Sequence, residues 1–253
     1  MATAAASKLA PRSTVGTYDH VFFSAMAILM AITVFVGFAP SYYFRAFGDR
    51  PMVAIGGLPF TPLLHLHGVL FTAFVVLFIV QTTLVASHRV AVHRRLGIAG
   101  GLLAVVMTLV GTVVAITQVA RGSVPPGMDP PVFLAAPLFE MLLFAILVGA
   151  ALWLRANKAA HKRLMLLAYI SIISAAVVRL PGVVRLPGVQ PDLFGDDLAL
   201  LFLLAGIVYD LVTQRRVHPA YVWGGALLVV SVPLQLMVSR TETWRAFAEL
   251  VMR

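Results

Sequence analysis

Residues 61–86 read TPLLHLHGVLFTAFVVLFIVQTTLVA, a stretch without a single charged side chain. A helix of about 20 apolar residues crosses the roughly 30 Å of hydrocarbon in a bilayer. The stretch therefore predicts a transmembrane helix. Six other apolar runs follow the same rule, so the predicted spans are 21–41, 61–86, 97–119, 131–154, 164–181, 197–214 and 220–239.

The composition of the whole chain also indicates a membrane protein. Of its 253 residues, 60% are hydrophobic and 11% are charged, which leaves too little polar surface for a soluble globule of this length. The connections between the predicted spans are too short for a large soluble catalytic domain. The chain has no cysteine, which excludes disulfides, thiolate metal sites and cysteine nucleophiles.

The predicted fold class is all-α, a polytopic membrane protein with a bundle of seven transmembrane helices. Most basic residues, including every lysine, lie in alternate connections that include the N-terminus. By the positive-inside rule the N-terminus is expected in the cytoplasm and the C-terminus outside. The predicted organisation is a cytoplasmic N-terminal tail (1–18), a seven-helix transmembrane domain (19–240) and a short amphipathic segment on the outer surface (241–253), with Trp244 and Phe247 facing inward.

The formal net charge of +9 raises the question of a nucleic-acid partner. The basic residues flank the membrane spans in short groups and do not form a stripe with interleaved aromatic residues. Lipid headgroups explain this placement better than nucleic acid does. The expected partners are therefore the lipid bilayer and, as an accessory subunit, a larger membrane protein complex.

Several polar side chains occur at similar predicted depths in the outer half of the bundle. Glu140 lies about nine residues from the outer start of the fourth span, hence roughly 13 Å into the membrane at the rise of an α-helix. Ionisable groups at such depths need a partner or a wet cavity. Two explanations fit this set of polar residues. The residues line a ligand-binding cavity that is open to the outside, or they pair with each other and fix the packing of the helices. The set is His65, His67, Gln118, Glu140, Arg179 and Gln235.

His65 and His67 raise a further question about metal binding. On a regular helix residues i and i+2 point about 200° apart, so the two rings cannot face one pocket. If the helix began only after Gly68, an extended H-x-H segment could present both side chains to one Zn²⁺ or Cu²⁺ ion. A divalent metal site on these two histidines is one alternative, and a hydrogen bond of one histidine inside the bundle is the other.

Two similar turns open the third and fifth spans, with the sequences HRRL from His93 and HKRL from His161. They indicate either a parallel repeat of helical hairpins or simply the basic residues that suit a helix start at the inner surface. Under the repeat, His93 and His161 are the natural pair of axial ligands for haem b near the cytoplasmic surface. Contact with lipid headgroups is the alternative.

Two further expectations concern the fifth and sixth spans. The sequence VVRLPGVVRLPGV at 177–189 contains two Pro-Gly pairs, which predict that the fifth helix ends near Leu180. Arg179 and Arg185 would then lie in an irregular outer segment. Asp210, near the inner end of the sixth span, is expected to anchor the helix by reaching Arg215 or Arg216.

The phrases HLHGVLF (65–71), HRRLG (93–97) and HKRLM (161–165) resemble those of a widespread group of uncharacterised bacterial seven-helix membrane proteins. The resemblance covers all seven predicted spans and implies the fold and a multi-pass location in the bacterial cytoplasmic (inner) membrane. It implies no catalytic residue. The HRRLG turn also resembles cytochrome b561-like haem membrane proteins, although the axial-histidine pattern of that family is not reproduced.

Three functions fit these observations. The leading hypothesis is a non-enzymatic membrane protein that binds a small ligand or metal in the polar cluster, or that serves as an accessory subunit of a larger complex. The second is a haem-binding redox protein that exchanges electrons with quinone. The third is a small-solute or proton-linked transporter, for which Glu140 near the midplane is the motivation.

Overall fold

The computed structural model describes residues 14–44, 58–125, 127–180 and 191–253, with the backbone alone at 14–17 and 191–197. In these ranges the structure is all-helical. The helices in chain order are α1 (Thr14–Phe38), which continues as a π-helical turn (Ala39–Tyr43), then α2 (Pro62–Ala86), α3 (Val90–Ala120), α4 (Pro130–Trp153), α5 (Lys158–Ile170), the single turn α6 (Ser174–Val177), α7 (Pro191–Gln214), α8 (Pro219–Ser239) and α9 (Glu242–Val251).

Five of these helical segments are long and apolar enough to cross a membrane. They are Tyr18–Tyr43, Pro62–Ala86, Val90–Ala120, Pro130–Trp153 and Pro219–Ser239, and the apolar helix Leu198–Gln214 is shorter. Large apolar side chains such as Ile98, Trp153 and Val212 are exposed on the surface of the bundle, where lipid rather than water would accept them. The chain is therefore an integral multi-pass membrane protein. We call the end of the bundle where α3 ends and α4 begins the outer end, after the predicted orientation.

The fifth predicted span is not one continuous helix. α5 ends at Ile170, ten residues before the expected end near Leu180, and residues 171–173 separate it from the short turn α6. Within a membrane such a break is tolerated only where protein covers it. Ser171, Ile173 and Ser174 are all buried, and the Ser171 hydroxyl donates a hydrogen bond of 2.8 Å to the carbonyl of Ala168.

The break lets α6 approach α1 very closely. A Cβ atom added at Gly37 of α1 would lie 2.3 Å from the carbonyl oxygen of Ala176 in α6. Only glycine fits at that position, because the neighbouring atom belongs to backbone and cannot rotate away. This contact holds α6 in place, and residues of α6 contribute to the lining of a cavity in the outer half of the bundle.

α5 lies at the centre of the bundle. It packs against α4, α7 and α8, and its side chains from Leu164 to Ile170 are almost all buried. Leu164, Leu167 and Tyr169 contribute to one continuous apolar core together with Phe144 and Leu147 of α4. The central helix therefore sets the positions of the helices around it.

A buried ion pair connects α5 with α7 at the inner end. The Nε atom of Arg163 donates hydrogen bonds of 3.1 and 2.9 Å to the two carboxylate oxygens of Asp210, and both side chains are 0% exposed. Asp210 also accepts a hydrogen bond of 3.0 Å from the backbone N–H of His218. The expectation that Asp210 reaches Arg215 or Arg216 was wrong, since its charged partner lies on another helix.

A second polar contact lies beside this pair. Lys162 of α5 forms an ion pair with Asp19 of α1, and the Tyr209 hydroxyl of α7 donates a hydrogen bond of 2.9 Å to the same carboxylate. The inner ends of α1, α5, α7 and α8 are thus held together by charge-assisted hydrogen bonds.

His218 caps the start of α8 and links stability to pH. Its Nδ1 atom accepts a hydrogen bond of 3.1 Å from the backbone N–H of Ala220, which requires that nitrogen to be unprotonated. Burial and then the positive charge of Arg163 lower the pKa of His218 below its ordinary value of 6.5. The unfolded chain therefore binds more protons than the folded chain at pH values between the two pKa values.

We expect stability to fall as the pH drops below about 6.5, the ordinary pKa of histidine, because protonation of His218 is less favourable in the folded chain than in the unfolded chain. Thermal unfolding of the detergent-purified protein would measure the slope. The variant His218→Asn keeps a capping acceptor but does not titrate, so its slope should be shallower. Equal slopes for the two proteins would show that His218 does not carry the effect.

The C-terminal helix α9 lies within the predicted amphipathic segment of residues 241–253. The indole N–H of Trp244 donates a hydrogen bond of 2.7 Å to the carbonyl of Pro131 at the start of α4, and Ala248 is buried. Phe247 is exposed. The predicted tail (1–18) overlaps α1, which begins at Thr14, and residues 1–13 and Arg185 lie outside the described residues.

Candidate functional site

A large cavity lies in the outer half of the bundle, between α1, α2, α3, α4, α8 and the segment formed by α5 and α6. Its volume is about 960 Å³, which is at the upper end of the roughly 300–1,000 Å³ typical of small-molecule sites. Most of its lining is apolar. The aromatic members of the lining are Phe38, Tyr42, Tyr43, Phe60, Phe71, Phe133 and Tyr169.

Five of the six residues that the sequence indicated as a polar cluster line this one cavity. They come from five separate parts of the chain and are His67, Gln118, Glu140, Arg179 and Gln235. Counted from the outer ends of their helices at the rise of an α-helix, Gln118 lies about 3 Å deep, His67 about 8 Å and Glu140 about 15 Å. The polar groups are therefore distributed from the rim of the bundle to the middle of the membrane.

His65 is the predicted member that the cavity lining does not include. Its side chain is exposed, and its ring lies 5.4 Å from that of Phe60 and 6.1 Å from that of Tyr42. The helix α2 begins at Pro62, so the extended segment on which a metal site of His65 and His67 depended is not formed. In the described part of the chain, no group of three or more histidine or acidic side chains could hold a metal ion.

Two tyrosines of the π-helical turn build the wall next to α2. The Tyr42 ring lies where a side chain on Gly68 would be, 2.6 Å from the position of an added Cβ atom, so glycine is needed for this close approach. The Tyr43 hydroxyl is 2.9 Å from the hydroxyl of Thr72. Both tyrosine rings are thereby fixed at the mouth of the cavity.

Glu140 and Arg179, the two charged residues of the cluster, each contact other parts of the protein. The hydroxyl of Ser174 in α6 donates a hydrogen bond to the Glu140 carboxylate. The guanidinium of Arg179 donates to the carbonyl of Ala175 and lies 4.9 Å from the centre of the Phe38 ring, a cation–π contact. α6 therefore connects both charged residues of the cluster to one short turn.

Three buried polar atoms of the cavity lining have no hydrogen-bond partner within the described residues. They are Nδ1 of His67, Oε1 of Gln118 and the hydroxyl of Tyr169. Gln118 is 8% exposed and Tyr169 is 1% exposed. An unsatisfied buried polar group costs about 1–3 kcal/mol, so native proteins rarely keep one without a partner. These three atoms are therefore the buried polar groups around this cavity whose hydrogen bonds the described residues do not supply.

One more buried hydroxyl, also without a partner among the residues that the structure describes, lies elsewhere. Tyr221 of α8 packs against Gly206 and lies under the guanidinium of Arg163, 5.6 Å from the ring centre. It does not line the cavity. Tyr221 is therefore a natural control for experiments on Tyr169.

Tyr169 is the cavity residue that the sequence did not reveal. It lies within an uninterrupted apolar run, LMLLAYI, and its ring packs at 5.6 and 5.1 Å from those of Phe74 and Phe78. In the sequence such a tyrosine is indistinguishable from an ordinary core aromatic residue.

A second, smaller cavity adjoins the first near the middle of the bundle. Its volume is about 30 Å³, and Glu140, Ser171, Ser231 and Gln235 contribute to its lining. A polar space of this size suits a water molecule. Glu140 and Gln235 line both cavities and thus connect them.

The structure also brings together the two histidines at the inner end. The rings of His93 and His161 have centres 6.3 Å apart and lie nearly perpendicular. Nδ1 of His161 is 2.8 Å from the carbonyl of Ala151, and Nδ1 of His93 is 2.6 Å from the amide of Gln81 when that amide is oriented to donate. The pairing that the repeated turns predicted is therefore present in space, while its role as a haem site stays a prediction.

No known family model, curated protein or solved structure matches this chain.

Proposed function

We propose that this protein binds a membrane-soluble ligand in the cavity of about 960 Å³. The observation that carries the proposal is a set of three buried polar atoms that have no partner in the described residues. They belong to His67, Gln118 and Tyr169, residues that line the same cavity. Each of these atoms is shielded from solvent, and a buried polar group without a hydrogen bond is costly. A bound molecule that supplies the hydrogen bonds removes this cost.

The proposal includes the seven crossings and the orientation expected from the sequence. Five long helices and the shorter α7 account for six crossings. Support for the seventh comes from α5, the buried break and α6, which together form a discontinuous fifth span. With the N-terminus in the cytoplasm the cavity opens toward the outside of the bacterial cytoplasmic membrane. Membership in the group of bacterial seven-helix proteins belongs to the same proposal.

Mass spectrometry of small molecules that co-purify with the protein tests the proposal. We expect the wild-type protein, extracted with a polymer that retains native lipid, to carry one ligand at near-stoichiometric amount. Tyr169→Phe and Gln118→Met each remove one hydrogen bond of about 0.5–1.5 kcal/mol, so roughly two- to tenfold less ligand should be retained. Both replacements conserve side-chain size.

Tyr221→Phe is the matched control for Tyr169→Phe. It also removes a buried hydroxyl that lacks a partner in the described residues, but Tyr221 does not line the cavity. This variant should therefore retain as much ligand as the wild-type protein. If Tyr169→Phe and Tyr221→Phe retained equal amounts, the cavity would not be the binding site.

A transporter is a second candidate function, and the broken fifth span favours it. Discontinuous helices at the ligand site are a recurring feature of secondary transporters, and here Ile172 and Ser174 next to the break line the cavity. At the inner end the ion pairs of Arg163 with Asp210 and of Lys162 with Asp19 close the bundle. This arrangement corresponds to a state open to the outside and closed to the cytoplasm.

The lack of native cysteine makes the two candidates easy to separate. Ala220 is buried at the inner end, so a thiol introduced by Ala220→Cys would be protected in a static binding protein. A transporter must expose the inner end in its other state. Labelling of that thiol from the cytoplasmic side by a membrane-impermeant reagent would support transport, and complete protection would count against it.

A further inference from the structure

We infer that the ligand is a quinone: an uncharged ring with hydrogen-bonding oxygen atoms at opposite positions, attached to an apolar tail. The inference rests on the proposed function and concerns the chemical class of the ligand at the same cavity. Only binding is proposed, and no electron transfer is included.

The first argument is the charge of the groups that lack a hydrogen-bond partner in the described residues. The three atoms belong to an imidazole, an amide and a phenol, all of which are uncharged hydrogen-bonding groups. Four charged residues also line the cavity: Asp129, Glu140, Arg179 and Arg240. Glu140 and Arg179 contact Ser174, Ala175 and Phe38 of the protein itself, and Asp129 pairs with Arg245. The groups whose hydrogen bonds are missing are neutral and match a neutral ligand, because an ion would need opposite charge at these groups to offset its loss of hydration.

The second argument is depth. Tyr169 lies eleven residues after the start of α5, hence about 17 Å from the inner end of that helix, near the middle of the membrane. A phospholipid would place its polar headgroup at the rim and its acyl chains in the cavity, where the chains would not satisfy the hydroxyl of Tyr169. The ligand must instead carry polar atoms into the bundle.

The third argument is the arrangement of the groups on different walls. His67 is on α2, Gln118 on α3 and Tyr169 on α5, so a ring with oxygens at two opposite positions can contact more than one wall at once. The carbonyl oxygens of a quinone accept hydrogen bonds, for which the tyrosine hydroxyl and an imidazole N–H are donors. The hydroxyl groups of the reduced form donate, for which the Gln118 oxygen is an acceptor.

The fourth argument is the aromatic character of the walls. The ring of His67 stacks on that of Phe71 at 4.0 Å between centres, and Tyr42, Tyr43 and Phe38 also line the cavity. Flat aromatic faces pack well against a planar ring in stacked or edge-on arrangements. The apolar remainder of the cavity has room for the first part of a hydrocarbon tail.

Thermal unfolding of the full-length protein in nanodiscs tests the inference. The probes are a ubiquinone analogue and a menaquinone analogue with ten-carbon tails, and the matched control is decylbenzene, which has the same tail on a ring without oxygens. We expect at least one quinone to raise the unfolding temperature of the wild-type protein saturably, and decylbenzene to leave it unchanged. Tyr169→Phe and His67→Phe should each weaken quinone binding by roughly three- to tenfold, whereas Tyr221→Phe should bind as the wild-type protein does.

Equal effects of quinone and decylbenzene, or unchanged quinone binding in Tyr169→Phe, would overturn the inference. The unfolding temperature without ligand shows whether each variant is folded. If quinones fail to bind while a different molecule co-purifies in a Tyr169-dependent manner, the ligand class is wrong and the proposed function stands. If quinones fail and nothing co-purifies, both are wrong.

Discussion

Asp210→Asn is expected to lower the free energy of unfolding by about 3–5 kcal/mol, the cost of removing one partner from a buried ion pair. The replacement conserves the shape of the side chain but leaves the positive charge of Arg163, which is 0% exposed, without its counter-ion. The backbone N–H of His218 would keep an acceptor. Denaturation in detergent, followed by circular dichroism, would measure the difference.

Asp129→Asn is the matched control. Asp129 pairs with Arg245 at 2.6 Å, but these side chains are 38% and 48% exposed, and an exposed pair is worth about 0–1 kcal/mol. A cost for Asp210→Asn no larger than that for Asp129→Asn would contradict the assignment of the inner ion pair as a principal stabilising contact.

A double replacement of Arg163 and Asp210 by leucine separates two contributions to the loss of stability. One is the lost attraction between the two charges, and the other is the cost of leaving one buried charge without a partner. Removing both charges avoids the cost of leaving one unpaired. We expect the double variant to be more stable than Asp210→Asn. If it is less stable, the pair itself contributes net stability beyond the avoidance of that cost.

Gly37→Ala is expected to destabilise the protein by about 1–3 kcal/mol, the usual cost of adding an atom to a fully packed site. The new Cβ atom would lie 2.3 Å from the backbone oxygen of Ala176, so α1 and α6 must move apart. Because Ser174 and Ala176 line the cavity, the variant should also retain less ligand. Thermal unfolding and the co-purification assay measure the two effects.

Gly149→Ala provides the comparison for Gly37→Ala. Gly149 also lies within a long helix, but nothing lies within 4 Å of an added Cβ atom. There alanine should be neutral or stabilise the helix by up to about 1 kcal/mol. Similar losses for the two variants would indicate a general effect of alanine rather than a clash between α1 and α6.

The transmembrane character of the chain was predictable from sequence because it depends on local composition. An apolar run such as residues 61–86 must be shielded from water whatever it packs against. The break after Ile170 was not predictable in this way. The residues SIIS at 171–174 carry no proline or glycine, and the break is stabilised by contacts with distant parts of the chain, such as that of Ala176 with Gly37.

The polar lining of the cavity was largely predictable because polar residues in apolar runs are rare. His67, Gln118 and Glu140 were each conspicuous within a span, and helical rise alone gave their relative depths. His65 and His67 point in different directions around the axis of α2, as the angle of about 200° between them requires, and only His67 lines the cavity. Tyr169 gave no such signal, because a tyrosine in a core helix is common and its hydroxyl becomes informative only when its surroundings are known.

The partner of Asp210 illustrates a limit of reading along the chain. Arg215 and Arg216 are close in sequence, whereas Arg163 lies in a basic turn that resembles an ordinary lipid anchor. The true pairing depends on how α5 and α7 pack, and no local pattern contains that information. The proximity of His93 and His161, by contrast, agrees with what two similar turns led us to expect.

An electron cryomicroscopy map of the protein in nanodiscs prepared from native membrane is the most direct test of a ligand in this cavity. We expect density for a non-protein molecule between the walls formed by α2, α3 and α5, within hydrogen-bonding distance of His67, Gln118 and Tyr169. A map in which these three side chains bond to other parts of the protein, with no such molecule between them, would contradict the proposed function.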